Sequence, residues 1–360
     1  MNRNEIRTVD PIENDYLKDV LDQPADLRAS LAGFLPEARK AASRITATGR
    51  RKVVFSGMGS SHFCGRGAAI LLESAGYSCT VLSCGELLHY ETALLDDRTL
   101  LFLVSQSGES TEVVQLLDRV PAGCLIVGVT DFPGSTLARR ADFPLFLGVR
   151  PEASVTTRTY LASVLLLDVV ALLLADRFDD AVEASVHATF DGMETFLAAS
   201  SDLAGRISRY FDGPASISLI GRGHSLASVQ AGALFYREVA KFPAVDFDGG
   251  EFRHGPIEMV DEAFRAIVFA PHGPTVALGH GLARRIATCG GRCVLVTDVL
   301  FEAAKRGHPT FVVALPAVPE FFVPLLEILP VQLHAAFFAK ERGFTPGIFR
   351  WSSKVTLEEY

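Results

Sequence analysis

Short runs of consecutive apolar residues recur along the chain, and each is followed by a turn and a longer stretch with helical spacing. Continuous apolar strands that alternate with helices are typical of parallel sheets covered on both faces. The pattern therefore predicts an α/β fold of doubly wound parallel sheets. The runs predicted as strands are Val53–Phe55, Leu100–Val104, Leu125–Val129, Ile217–Ile220, Ala266–Ala270 and Val294–Val296.

The chain also repeats itself once, which indicates two structural units of the same kind. Three residues of the first unit recur 164 positions later: Gly57, Gly59 and Ser61 correspond to Gly221, Gly223 and Ser225. We expect a first domain at 28–180 and a second at 205–345, joined by helices within 177–203. Residues 1–27 are expected to form a leading arm, and residues 346–360 a C-terminal tail that closes the site.

The most apolar segment, Leu161–Ala175, contains Asp168 and is shorter than the about 20 residues that cross a bilayer. It is predicted to be a buried helix of the protein core. Residues 1–30 are mostly polar and charged and lack the apolar centre of a secretion signal. We therefore expect a cytoplasmic protein with no membrane role.

Composition and charge narrow the classes of ligand. Hydrophobic residues make up 49% of the chain and charged residues 21%, as in well-packed globular proteins. The net charge of −8 disfavours nucleic acid as a partner, although backbone N–H groups can still hold a phosphate. The six cysteines form no CxxC pair and have no histidine cluster, so we expect reduced thiols and no metal site.

Two Gly- and Ser-rich turns follow predicted strands and are candidate phosphate sites. The first, Ser56–His62, places glycines and hydroxyls before a helix, but such a segment is often only a turn. His62 stands where a dinucleotide-binding GxGxxG motif needs glycine, so a nicotinamide cofactor is not expected. The second, Ser105–Thr111, holds four hydroxyls, a glutamine and a glycine, more than a single helix cap needs. We favour it as the phosphate-binding loop.

Other segments carry acid–base or anion-binding side chains. The run Ser154–Thr159 precedes the apolar helix and is either a capping sequence or part of a binding site. Neither Glu238 on a helix nor His254 in a Gly/Pro-flanked loop indicates a function by itself. Together they would supply a carboxylate that moves a proton between adjacent carbons and an imidazole that opens a sugar ring. The residues around Lys354, in the tail, predict by themselves only an exposed terminal lysine.

Five segments are informative as a set: SQSGES, GRGHS, GALFYRE, EFRHGPIE and the terminal SSKVT. In this order they resemble the isomerase half of glutamine–fructose-6-phosphate amidotransferase (glucosamine-6-phosphate synthase), which consists of two sugar isomerase (SIS) domains. The resemblance covers residues 30–358 and includes the 16-residue spacing between Glu238 and His254. It implies a tandem pair of flavodoxin-like SIS domains.

The resemblance also implies roles for individual residues. Glu238 matches the acid–base residue that moves a proton between C1 and C2, and Lys354 matches a tail lysine that approaches the sugar carbonyl. His254 matches a ring-opening histidine contributed by the neighbouring subunit, so a homodimer with shared active sites is implied, with a phosphorylated sugar as substrate. The residues implied to bind substrate or phosphate are Ser60, Ser61, Ser105, Gln106, Ser107, Ser110, Ser154, Thr156 and Ser353.

The chain departs from this family at several positions. It begins at Met1 without the glutaminase domain and N-terminal cysteine of the amidotransferases, so we do not expect it to take ammonia from glutamine. Met58 replaces a cysteine in the first loop. Near the base, Ala231 replaces an acid and Phe235 replaces a lysine. A less polar wall beside Glu238 points to a different amino substituent on the sugar.

We expect an enzyme, without metal or organic cofactor, that converts glucosamine 6-phosphate to fructose 6-phosphate and ammonia. One alternative is a deglycase that splits a fructosamine 6-phosphate into an amine and a sugar phosphate; the retained Lys354 favours deamination. Another is a non-catalytic sugar-phosphate regulator, which would need the phosphate loops but neither Glu238 nor His254. A dehydrogenase is disfavoured by the interrupted glycine motif at His62.

Overall fold

The computed structural model describes residues 15–152, 155–300, 310–356 and 358, and contains two five-stranded sheets in tandem. Every strand pairing in both sheets is parallel. The predicted fold class is therefore confirmed. The strands are β1 (Lys52–Gly57), β2 (Ser78–Ser83), β3 (Thr99–Val104), β4 (Leu125–Thr130), β5 (Phe143–Phe146), β6 (Ile217–Gly221), β7 (Ala244–Asp248), β8 (Arg265–Phe269), β9 (Arg292–Thr297) and β10 (Phe311–Ala314).

The two sheets have the same strand order, so the repeat in the sequence is a repeat of the fold. The first sheet runs β2-β1-β3-β4-β5, and the second, read from its opposite edge, runs β7-β6-β8-β9-β10. Both are the flavodoxin-like order 2-1-3-4-5, in which ligands bind outside the carboxyl ends of the strands where the order reverses. In the first sheet this point lies between the ends of β1 and β3, where the two predicted Gly- and Ser-rich turns follow.

Helices cover both faces of the sheets, as the alternation of apolar strands and helical segments predicts. In the first half they are α1 (Asp15–Leu21), α2 (Gln23–Thr46), α3 (Ser60–Phe63), α4 (Gly65–Ser74), α5 (Cys84–His89), α6 (Thr111–Leu117), α7 (Thr136–Arg140) and α8 (Arg158–Leu174). The remaining helices described are α9 (Asp180–Ala198), α10 (Leu203–Phe211), α11 (Leu226–Val239), α12 (Val276–Thr288), α13 (Val323–Glu327) and α14 (Leu329–Glu341). Short 3₁₀ turns occur at Thr92–Leu94, Gly223–Ser225, Glu251–Arg253, Pro256–Met259 and Glu320–Phe322.

One apolar core runs through both halves of the chain. The predicted buried helix is confirmed as α8, in which nearly every side chain is buried, Asp168 included. Burial raises the pKa of the Asp168 carboxyl well above its ordinary value. The core continues from α8 into α11 and α14 of the second half. The two halves therefore pack against each other through a shared apolar core.

The segment expected to be a leading arm is helical from Asp15 onward. Helix α2 crosses the expected domain start at residue 28, because Leu27, Leu31 and Phe34 recur at helical spacing and are buried in the core. In the described part of the chain, one helical run, Glu320–Glu341, is long and apolar enough to cross a membrane. Of its most apolar stretch, 89% is buried inside the protein, as in a core helix.

Candidate active site

A cavity of about 210 Å³ lies at the carboxyl ends of β1 and β3, between the two halves of the chain. Its walls come from the loops after these strands, from the segment before α8, from α11 and from the tail. The lining residues are Met58, Gly59, Ser60, Ser61, Val104, Ser105, Gln106, Ser107, Ser110, Val113, Thr156, Leu234, Glu238, Phe349, Ser352, Ser353, Lys354 and Thr356. Of the sequence-predicted site residues that the structure describes, all are among them except His254.

The loop after β1 turns sharply into α3, and its backbone geometry requires glycine at two positions. A Cβ on Gly57 would lie 2.6 Å from the Ser61 carbonyl oxygen and 2.8 Å from that of Val104, both rigid backbone atoms. Gly59 has φ of +53°, a conformation that favours glycine. The turn brings the side chains of Ser60 and Ser61 to the cavity wall.

The loop after β3 is fixed by hydrogen bonds from its own backbone to its serine side chains. The Gly108 N–H donates to Ser105 Oγ at 3.1 Å, and the Glu109 N–H donates to Ser107 Oγ at 3.2 Å. The hydroxyls of Ser105 and Ser110 lie 3.4 Å apart. Several hydroxyls therefore converge on one side of the cavity, as an anion site requires.

This loop is also anchored from outside. The Glu109 carboxylate accepts hydrogen bonds from the Thr136 N–H at 2.6 Å and the Thr136 hydroxyl at 2.9 Å, at the start of α7. Gly108 has φ of +65° and lies directly against the Ser135 side chain. The loop is thus held to the start of α7, and this attachment preorganises the serine hydroxyls.

The C-terminal tail closes one side of the cavity. The Thr111 N–H, at the start of α6, donates to the Thr356 carbonyl at 3.2 Å. The tail therefore lies against the loop after β3, Ser105–Thr111, which we call the serine-rich loop. The Lys354 ammonium donates to the backbone carbonyl of Glu152 at 2.9 Å and lies 3.3 Å from the Glu152 carboxylate. These contacts place the lysine at the cavity wall.

Glu152 is a positioning residue that the sequence did not reveal. Its carboxylate is fully buried and accepts from the N–H groups of Thr157 and Thr159 at 2.7 and 2.8 Å, and from the Thr159 hydroxyl at 2.9 Å. It therefore caps the start of α8 and holds Lys354 at the same time. In the sequence it is an ordinary acid ahead of a helix, and only the fold brings Lys354 to it.

Glu238 stands on the last turn of α11, and its half-buried side chain lines the same cavity as the serine-rich loop. Burial raises the pKa of its carboxyl above the ordinary value, and the nearby Lys241 ammonium offsets part of that rise. Lys241 also donates a hydrogen bond to the Glu238 backbone carbonyl. A carboxyl with a raised pKa next to a binding cavity is suited to accept and return a proton near neutral pH.

The less polar wall expected beside Glu238 is not part of the cavity lining. Ala231 and Phe235 are only 1% and 3% exposed, and the Phe235 ring packs edge-on against Tyr160 of α8 with ring centroids 6.2 Å apart. Both belong to the core between the halves. From α11, Leu234 and Glu238 line the cavity instead.

His254 lies apart from the other predicted site residues. It ends the 3₁₀ turn Glu251–Arg253, its side chain is exposed, and it is absent from the cavity lining. Within one chain the structure therefore brings Glu238, Lys354 and the hydroxyl loops together, but not His254. Ser154 lies outside the described residues.

Two larger grooves adjoin the cavity. One, of about 1060 Å³, lies behind the serine-rich loop and shares Gln106, Ser107 and Lys354 with the cavity. The other, of about 670 Å³, lies on the far side of Glu238. In the part of the chain that the structure describes, no three His, Cys, Asp or Glu side chains are grouped to hold a metal ion.

The SIS domain family model matches two segments of the chain, residues 48–173 and 212–339. Each match contains all five strands of one of the two parallel sheets. Among curated proteins, a glutamine–fructose-6-phosphate aminotransferase (isomerizing) of Pyrobaculum aerophilum is 29% identical over 350 residues. That alignment covers 95% of this chain but 57% of the relative, so the chain spans little more than half of the protein it matches.

Solved structures share the fold. The C-terminal domain of glucosamine-fructose-6-phosphate aminotransferase from Francisella tularensis superposes with a TM-score of 0.80 at 20% identity, covering 92% of this chain and 96% of that one. Glucosamine-6-phosphate deaminase from Thermotoga maritima superposes with a TM-score of 0.76 at 20% identity, covering 95% and 99%. At such identities the likeness establishes the architecture, and the chemistry has to be argued from the site.

Proposed function

The chain belongs to the SIS domain family, and on this premise we propose that it is a sugar-phosphate isomerase that moves a proton between C1 and C2 of a phosphorylated amino sugar. The observation that carries the proposal is a single cavity lined both by a hydroxyl-rich loop and by Glu238. The names of its relatives refer to glucosamine and fructose 6-phosphates. Glucosamine 6-phosphate is therefore the first substrate that we propose.

In this proposal the serine-rich loop holds the phosphate. The hydroxyls of Ser105, Ser107 and Ser110, with Gln106 beside them, face a ligand from a loop fixed by its own hydrogen bonds. Ser60, Ser61, Thr156 and Ser353 line the same cavity and would contact the sugar or its phosphate. Binding energy from the phosphate, which does not react, is then used to orient the reacting carbons.

Glu238 would act on the carbons at the far end of the sugar. In open-chain glucosamine 6-phosphate, the carboxylate takes the proton from C2 and returns it to C1, which converts the C2 amine into an imine. Water then adds to C2, the C–N bond breaks, and ammonia leaves with fructose 6-phosphate. Glucosamine 6-phosphate and water thus give both products without a redox partner.

Two further roles belong to this proposal. Lys354, held by Glu152, would place a positive charge beside the sugar carbonyl as the carbonyl oxygen gains charge. His254 would open the sugar ring, and since it lies outside the cavity of its own chain, it would serve the cavity of a second copy. A homodimer with shared active sites is therefore part of the proposal.

A deglycase acting on a fructosamine 6-phosphate is the second candidate. The observation that favours it is the 670 Å³ groove on the far side of Glu238, because free ammonia needs no such space. A regulator that only binds sugar phosphates is less well supported. It would have no use for a half-buried carboxyl at the sugar end of the cavity.

The test is a panel of hexosamine 6-phosphates and fructosamine 6-phosphates incubated with the full chain. Released ammonia or amine and released sugar phosphate are both measured. We expect turnover of at least one member, with nitrogen and sugar phosphate released in equal amounts. Tight binding of fructose 6-phosphate without turnover of any member would instead support the regulator.

A further inference from the structure

Arg158, the first residue of α8, is buried in the protein, with 4% of its side chain exposed. A buried guanidinium is stable only where carboxylates and other acceptors surround it. We propose that Arg158 is a positioning residue for the reaction, which fixes the backbone beside Glu152 and thereby the ammonium of Lys354 at the cavity wall. The inference rests on the proposed function and adds a residue that acts on its machinery from the protein interior.

Three carboxylates contact the Arg158 side chain, and all of them come from the start of the helical part of the chain. Arg158 Nη2 lies 2.9 Å from Asp19 and 3.1 Å from Asp22, and Arg158 Nε lies 2.7 Å from Asp26. We call these three residues the aspartate cluster. They follow one another at intervals of three and four residues, so they lie on one side of the α1–α2 run. The cluster and Arg158 together join this helical run to the start of α8.

The same guanidinium holds the backbone that precedes Glu152. Arg158 Nη1 donates to the Pro151 carbonyl at 3.1 Å. Glu152 is the next residue, and its backbone carbonyl accepts from the Lys354 ammonium at 2.9 Å, while its carboxylate lies 3.3 Å from the same ammonium. The contacts therefore run without interruption from the aspartate cluster through Arg158 and Glu152 to Lys354.

Helix α2 provides a fixed support for these contacts. Its Ser30 hydroxyl donates to the Leu147 carbonyl, so the chain that leads to α8 is attached to α2 at a second point. At the start of α2, the Gln23 amide donates to the Gln332 side chain of α14 at 2.9 Å, and both residues are buried. The aspartate cluster thus belongs to an element that both halves of the chain hold in place.

The shape of the arginine matters as well as its charge. Asp26 also accepts from Arg150 Nε at 2.7 Å, so two guanidiniums share the aspartate cluster. A planar guanidinium can contact several acceptors in different directions at once, whereas a lysine ammonium offers its donors from one atom. Arg158→Lys therefore retains the buried positive charge and gives up part of the contacts that fix the Pro151 carbonyl.

The test is a double-mutant cycle of Arg158→Lys and Glu152→Gln in the full chain, with the best substrate of the panel. We expect each single variant to lower kcat by about tenfold, because a displaced charge beside the reacting carbons loses its orientation. The affinity for fructose 6-phosphate should change by less than about twofold, since the serine-rich loop is anchored at α7 instead. The double variant should be about tenfold slower than the wild type, rather than about a hundredfold, because both substitutions act through Lys354.

The matched control is Arg28→Lys on the same helix. Arg28 Nε lies 3.4 Å from Glu194 of α9, an ion pair outside the network, so this variant should keep the wild-type kcat. Circular dichroism and urea unfolding compare the stability of the variants. Where Arg158→Lys folds poorly, Asp26→Asn takes its place in the cycle, because it weakens the same contact and leaves two carboxylates beside two guanidiniums.

Each outcome decides the inference. Wild-type kcat in the Arg158 variant would overturn it, as would a loss of about a hundredfold in the double variant, which would show independent roles. An equal loss in Arg28→Lys would also overturn it, since the effect would then come from α2 as a whole. These three results leave the proposed function standing. A wild-type protein that turns over no member of the panel would overturn the proposed function itself, and the inference with it.

Discussion

At the residue scale, the environment of Glu238 determines whether it can act as a base. Burial raises the pKa of its carboxyl above 4.5, and only the ionised form can take a proton from carbon. We therefore predict that kcat/KM falls as the pH is lowered through a value above 4.5. The measurement is the pH profile of kcat/KM with the best substrate of the panel.

Glu238→Gln keeps the shape of this side chain and removes its basicity. We predict that kcat falls by roughly 10²–10⁴, the usual contribution of general base catalysis, while fructose 6-phosphate still binds. Single-turnover kinetics and calorimetry measure the two effects separately. An active Glu238→Gln enzyme would contradict the assignment of the base, and loss of both activity and binding would indicate a structural role.

The residue scale also marks the limit of what the sequence could predict. The serines of the loops after β1 and β3 were predicted because they are crowded into strand–helix junctions, which is a local signal, whereas Ser353 of the tail was implied only by the family resemblance. Glu152 was not, because its function depends on Lys354, which lies 202 positions further along the chain. The burial of Ala231 and Phe235 in the core was missed for a similar reason: their neighbour Tyr160 belongs to the other half.

At the element scale, the success of strand prediction follows the position of each strand in its sheet. The six predicted runs became β1, β3, β4, β6, β8 and β9, the inner strands of the two sheets. The four strands that were missed are β2, β5, β7 and β10, which are the four sheet edges. Three of these edge strands are partly exposed and interrupted by polar residues or proline, namely β2, β5 and β7, so they carry no continuous apolar run. β10 is apolar throughout and was missed although it carries the same signal as the inner strands. The flavodoxin-like sheet order, in contrast, was implied by the resemblance to the SIS domain family and is confirmed.

The proposed phosphate site depends on the loop after β3, and Gly108 sets the shape of that loop. Its φ of +65° and its contact with Ser135 leave no room for a Cβ. We predict that Gly108→Ala displaces the loop and weakens fructose 6-phosphate binding by about tenfold or more, as calorimetry would measure. The matched control is Gly134→Ala, since a Cβ there meets nothing within 4 Å. Equal affinities for the two variants would exclude this loop from the phosphate site.

At the scale of the whole molecule, a buried acid makes stability depend on pH. Glu327 on α13 is completely buried, which raises its pKa to about 7, and the Ser225 hydroxyl donates to it at 2.9 Å. In the unfolded chain the same group ionises near 4.5. The stabilisation from its neutral form is therefore complete below about pH 4.5 and is lost as the pH rises to about 7.

The variant Glu327→Gln removes this titration and keeps the shape of the side chain. We predict that between pH 5 and pH 8 the wild-type protein loses about 2.5 kcal/mol of unfolding free energy relative to this variant. Urea unfolding followed by circular dichroism at both pH values measures the difference. Parallel pH dependence of the two proteins would show that Glu327 is already ionised in the folded state.

The last prediction concerns how two copies of the molecule would share an active site. His254 is exposed and outside the cavity that holds Glu238, so a role in ring opening requires a second chain. We predict that His254→Ala and Glu238→Gln are each inactive, and that an equal mixture recovers about a quarter of wild-type activity. Random exchange makes half of the dimers mixed, and each mixed dimer contains one site with both groups intact. Activity is measured after exchange has been confirmed with differently tagged chains. Exchange without recovered activity would mean that Glu238 and His254 do not meet across a subunit boundary, and it would confine the chemistry to the groups of a single chain.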